Sequence, residues 1–163
     1  MLKFISLVLL MVSGIAISFV YVAEHRKNYN FVKGVLSAFE FMAGDIVHKH
    51  SFLADALKDA ALYAGTAQEF INELGDIMSE KVSAEEAFEK TRTDTGDRLG
   101  IILKDYFKQA GMLDAKGEQE KLAGVISRLK AEEKEQQKYI GDTVNQNRKI
   151  IIAVTVLICV FLA

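Results

Sequence analysis

Hydrophobic and polar positions fall into three regimes along the chain. From Phe4 to Ala23 the stretch FISLVLLMVSGIAISFVYVA runs twenty residues without a charge, which as a helix covers the roughly 30 Å of a bilayer's hydrocarbon core. Between Phe31 and Leu129 the large apolar residues recur every three or four positions. Phe31, Val35, Phe39, Met42 and Ile46 form one stripe. Leu53, Leu57 and Ala60 form a second, and Phe70, Leu74 and Ile77 a third. Leu99, Ile102, Leu103, Tyr106 and Phe107 follow, then Leu122, Val125, Ile126 and Leu129. This is the spacing of one face of a helix, and each stripe predicts a core-facing surface whose aromatics pack rather than hold a cofactor. From Ile150 to Ala163 the sequence is again apolar all round, with Thr155 and Cys159 its least apolar members. That run reaches roughly 21 Å, marginal for a span, but a helix lacking a polar face calls for lipid or a large core.

Capping chemistry places the helix boundaries. Thr66 with Glu69 predicts a helix through about Val82, and Ser83 with Glu86 a short one through about Lys90. Ser51, followed by Asp55, predicts the start of the preceding helix, which Gly65 ends. TRTDTGD, 91–97, reads as a loop. After Gly111 the chain restarts near Asp114 and meets no strong breaker, predicting a final helix of about 45 residues. Its segment 130–149, KAEEKEQQKYIGDTVNQNRK, interleaves Glu with Lys and predicts a solvated stalk with i,i+4 ion pairs. The expected organisation is a transmembrane anchor over 1–23, a helical bundle over 24–129, the polar stalk over 130–149 and a second transmembrane segment over 150–163.

Composition supports an all-α fold of about six helices between the two apolar ends, since the 163 residues include no proline. Residues 24–149 hold 19 cations against 22 anions, a formal charge of −3, and these are interleaved, so no nucleic-acid partner is implied. The single cysteine, Cys159, lies in the second apolar run, which excludes a disulfide framework and a thiolate zinc site. A cleaved signal peptide is the rival for the first run. Its length exceeds the usual apolar region, and Tyr21 spoils a small-residue cleavage site at Val22 and Ala23. His25, Arg26, Lys27 and Lys33 follow the first run and Arg148 and Lys149 precede the second, whereas only Lys3 lies outside them. The positive-inside rule then predicts a cytoplasmic middle and both termini across the membrane.

No phosphate-binding loop, GxSxG or HExxH occurs. His48 and His50, near Asp45, are two apart and diverge on a helix, so they do not make a metal site. Glu132, Glu133 and Glu135 alternate with Lys130, Lys134 and Lys138, the pattern of a solvated face rather than of an acid/base pair. No catalytic group, cofactor, metal or small-molecule substrate is predicted. Gly14 and Ser18 form a small-xxx-small pair that would seat another helix within the first apolar run.

The order of these segments resembles the stage III sporulation protein AB family. In LSAFEFMAGDIVHKHSFLADAL, 36–57, Asp45, Ile46, Ser51, Leu53, Asp55 and Ala56 lie in register with the family's pattern. Ala43 stands where a Glu is usual, His48 replaces a tyrosine and Phe52 a proline. SAEEAFEK, 83–90, is similar to the family's Glu-Ala-Trp with Phe88 for the tryptophan. In LKDYFKQAGMLDAKGEQEKL, 103–122, Gly111 and Asp114 match, Phe107, Ala110 and Leu113 depart, and Gln119 falls one place late behind Glu118.

The resemblance implies a membrane component of the assembly between mother cell and forespore, located in the mother-cell membrane. It implies a soluble domain similar in fold to the cytoplasmic domains of the type II secretion platform protein. It also implies partners: a hexameric secretion-type ATPase and other sporulation channel membrane proteins, with the chain as a non-enzymatic scaffold. The turn QAGMLDAKGEQ, 109–119, is the candidate docking end. Gly111 is expected to close one helix in the left-handed conformation and Asp114 to cap the next, which by itself accounts for both as a purely structural turn; the docking reading adds Glu118 and Glu120 as exposed anions facing the ATPase. A two-span helical sensor or adaptor is the alternative, although the short termini provide no output domain. A membrane enzyme would need polar groups converging on a pocket.

Overall fold

The computed structural model describes residues 2–49, 52–80, 82–91, 97–112 and 115–162. Every regular element among them is helical: α1 Leu2–Lys49, α2 Leu53–Ala61, a 3-10 turn Gly65–Ala67, α3 Gln68–Ser79, α4 Ala84–Lys90, α5 Asp97–Phe107, α6 Ala115–Tyr139, a π-helical turn Ile140–Val144, and α7 Asn145–Leu162. The expected all-α class is what the described residues form, and 115–162 is helical throughout. The chain divides into two compact units, one of residues 30–134 and one of residues 1–29 with 135–163.

In the 30–134 unit the predicted stripes converge on one core. Val35, Phe39, Met42, Leu57, Leu74, Leu103, Tyr106, Leu122 and Leu129 are fully buried, with Phe31, Leu53, Ile77, Phe88 and Ile126 packed against them. Aromatic rings link the elements in a chain. Phe31 of α1 meets Phe70 of α3 at 5.6 Å between centroids, and Phe70 meets Phe88 of α4 at 6.5 Å. Phe88 stacks on Phe107 of α5 at 5.4 Å, and Phe107 lies 6.1 Å from Phe39 of α1. Such contacts add about 0.5–1.5 kcal/mol each beyond the area they bury.

Between the large side chains the core is filled by small ones. Ala38, Ala56, Ala60, Ala61, Ala64 and Ala67 are completely buried. Gly34 lets α1 approach the backbone that links α2 to α3, where a Cβ would overlap the Ala64 carbonyl. The α2–α3 pair also approaches closely at Gly75, which faces the Lys58 side chain and the Ala54 carbonyl, and Lys58 pairs with Asp76 at 2.8 Å.

Two of the predicted boundaries resolve differently. Ser83 caps α4 as expected, its hydroxyl accepting from the Glu86 N–H at 3.2 Å. Thr66 does not cap α3. Gly65 has φ +52 and opens the 3-10 turn, Thr66 lies inside that turn, and α3 starts at Gln68 after Ala67 with no side-chain cap. That helix also ends at Ser79, before Val82. Ser51, His50 and the loop residues 92–96 lie outside the described residues, as does the side chain of His48.

In the unit of 1–29 with 135–163, α1 and α7 run antiparallel. Cys159 lies by the Leu7 carbonyl, Gly14 against Thr155, Phe19 by Arg148, and Tyr21 by Asn147. The buried seam holds Gly14, Ser18 and Val22 of α1 against Thr155 and Cys159 of α7 and Val144 of the π-helical turn before it. The hydroxyls in it bond to their own helices, Ser18 to the Ile15 carbonyl at 2.7 Å and Thr155 to the Ile151 carbonyl at 2.8 Å, which removes the cost of burying them unpaired. The outward positions are apolar, among them Leu9, Val12, Ile17, Val20, Leu157 and Val160. Both helices are long and apolar enough to cross a membrane.

Candidate functional site

The turn singled out in the sequence is organised around a buried carboxylate. After α5, the N–H groups of Lys108 and Ala110 still bond to the carbonyls of Lys104 and Tyr106 at 3.0 Å. Gly111 then takes φ +78, a conformation that favours glycine because a Cβ crowds the backbone there. Its N–H is donated to Glu118 Oε2 at 3.3 Å. The other carboxylate oxygen of Glu118 accepts from the Tyr106 hydroxyl at 3.0 Å. One side chain from the first turns of α6 therefore satisfies both the left-handed residue that ends the α5 segment and the polar tip of a core tyrosine.

Glu118 is thus not the exposed anion expected. It is 6% exposed, because the turn folds back far enough for the carboxylate to meet the Tyr106 hydroxyl, which would otherwise be buried unpaired, as well as the Gly111 N–H. Burial, and next the adjacent Glu118 charge and hydrogen bond, hold the Tyr106 phenol well above its ordinary pKa, so it stays a donor. Glu120 is exposed. Asp114 lies outside the described residues. Of the four residues named for this turn, the structure brings together Gly111 and Glu118 and leaves Glu120 on the surface.

Tyr106 was the partner that spacing alone missed, since it reads as one more apolar position of the α5 stripe. A signal was present: a tyrosine at a core position needs an acceptor for its hydroxyl. The flanks of the same hairpin carry ion pairs between α5 and α6. Arg128 bonds to Asp105 at 2.6 Å and Arg98 lies 3.8 Å from Glu132. Glu132, read as part of a solvated face, is 8% exposed, and Lys130 pairs with Glu40 of α1 at 2.8 Å. These contacts run between helices rather than along one.

The second pair of candidate residues, Gly14 and Ser18, lies in the seam between α1 and α7. A Cβ at Gly14 would overlap the Thr155 side chain, so the two helices meet at the distance that glycine permits. Beyond the seam, Asn147 donates to the Tyr21 hydroxyl at 3.2 Å, and the His25 ring makes edge contacts with Tyr21 and Tyr139 at 4.7 and 5.7 Å. Among the described residues no group of three or more His, Cys, Asp or Glu is placed to hold a metal.

The family model for stage III sporulation protein AB matches residues 3–163. No curated protein and no solved structure matches the chain. With the match running through the α1 and α7 helices as well as the 30–134 core, the chain belongs to the stage III sporulation protein AB family.

Proposed function

We propose that this protein is a non-enzymatic membrane scaffold of the mother cell–forespore assembly, with the 30–134 unit in the cytoplasm as a platform for a hexameric secretion-type ATPase and for other membrane proteins of the channel. The observation that carries the reading is the family match over residues 3–163 together with two helices apolar enough to cross a membrane. The charge pattern is in keeping with it: Arg26, Lys27, Arg148 and Lys149 all follow or precede the apolar runs on one side. A platform needs no phosphate loop of its own, and the sequence has none.

In this reading the ATPase docks at the α5–α6 turn, where Glu120 is the exposed anion. A charge at an interface rim acts mainly on association rate and salt dependence. Glu120→Lys is expected to leave the melting temperature nearly unchanged and to weaken capture of the ATPase, most clearly at low salt. Capture unaffected at low salt would place the docking surface elsewhere.

A further inference from the structure

The helix pair carries two arginines at the end of the first apolar run, Arg148 and Arg26, the first half-buried and the second exposed. The Arg148 guanidinium sits 4.7 Å above the centroid of the Phe19 ring. Phe19 lies four residues inside the end of the apolar run that closes at Ala23, about 6 Å along the helix, and is 55% exposed on its outward face. Arg26 lies on the same stripe of α1, seven residues on and about 10 Å further along. Neither arginine takes part in an ion pair among the described residues. Asn147, the neighbour of Arg148, is already committed to Tyr21.

Continuing the stripe in the other direction gives Ile15, Val12 and Val8, all exposed and all apolar. The surface therefore reads, from one end to the other, as an apolar strip, an aromatic ring bearing a guanidinium, the small exposed residue Ala23, and a second guanidinium. That sequence of chemistries matches one molecule laid along the helix: acyl chain on Val8 to Phe19, phosphate between Arg148 and Arg26.

We propose that this face of the helix pair binds an acidic phospholipid, its phosphate held by Arg148 and Arg26 and its acyl chain lying on the α1 stripe. Arg148 requires an anion because its charge is held at the depth of Phe19, where water is scarce and snorkelling reaches only part of the way. A headgroup with net negative charge meets both guanidiniums, whereas a zwitterionic one brings its own competing cation. The preference expected is about fivefold per arginine engaged.

This inference rests on the membrane reading above, and the test separates the two. The full chain is reconstituted into nanodiscs of phosphatidylcholine containing a minor share of phosphatidylglycerol, and the lipids kept by the protein after gentle release are counted by native mass spectrometry. Phosphatidylglycerol should be enriched over its share in the disc, and Arg148→Gln or Arg26→Gln should each cut the enrichment about fivefold. Arg148→Lys, which keeps the charge, should retain most of it. Inorganic phosphate added to the discs should not reduce it. Equal retention of both lipids, or enrichment unchanged in both glutamine variants, would overturn the lipid site while leaving the membrane reading intact. Displacement by inorganic phosphate would assign the arginines to a free anion instead. Failure of the chain to enter the discs would overturn both.

Discussion

Tyr106 on α5 and Glu118 on α6 are joined by a 3.0 Å hydrogen bond in the core, and the same carboxylate holds the N–H of the left-handed Gly111. Removing the carboxylate leaves the buried Tyr106 hydroxyl without its acceptor, at about 1–3 kcal/mol, and frees the Gly111 N–H to water. Glu118→Ala should therefore lower the melting temperature of the chain by several degrees, measured by circular dichroism, and Glu118→Lys should lower it further by burying a cation against the Gly111 N–H. An unchanged melting temperature in both variants would contradict the clamp.

The same pair sets an alkaline limit. Because the folded-state pKa of Tyr106 is raised, its contribution is fully present below the pKa of the unfolded phenol and is lost as pH climbs from about 10 toward the folded value. Between those two values the folded chain holds a proton that the unfolded chain has released. Stability should fall with pH in that window, and Tyr106→Phe should flatten the slope in denaturant titrations.

Core packing in the 30–134 unit depends on small residues as much as on large ones. Leu74→Ala should cost about 2–5 kcal/mol as a cavity in a fully buried site. Gly34→Leu should cost at least as much as ordinary overpacking, about 1–3 kcal/mol, because the added atoms meet the Ala64 backbone rather than a movable side chain. Urea unfolding of both variants checks this.

How far the sequence disclosed this arrangement follows from what each residue does. Phe39, Leu57, Leu74, Leu103 and Leu129 were legible as core because burying large apolar area imposes the helical period. Gly34, Ala64 and Ala67 were not, since small residues suit a core, a surface and a helix alike, and only the approach of a second backbone distinguishes them. Ser83 with Glu86 gave a true cap, whereas Thr66 with Glu69 has the same letters but follows Gly65, whose positive φ diverts the chain into a 3-10 turn. Glu118 reads as surface because a carboxylate near a turn usually is; its burial depends on Tyr106, twelve residues away, meeting it across the hairpin.

The antiparallel α1–α7 pair predicts a specific crosslink. Cys159 lies beside the Leu7 carbonyl, so Leu7→Cys should form an intramolecular disulfide with Cys159 under mild oxidation in the membrane. Adding Gly14→Leu should abolish it by forcing Thr155 away. Crosslinking that persists unchanged in the double variant would show that the seam does not close at Gly14.

In the proposed topology both apolar helices cross the membrane and hold the 30–134 unit in the cytoplasm. The most direct measurement is a compartment-sensitive reporter fused after Ala163, with the first apolar run intact. The reporter should be active on the far side of the membrane and silent in the cytoplasm. A fusion active only in the cytoplasm would contradict it.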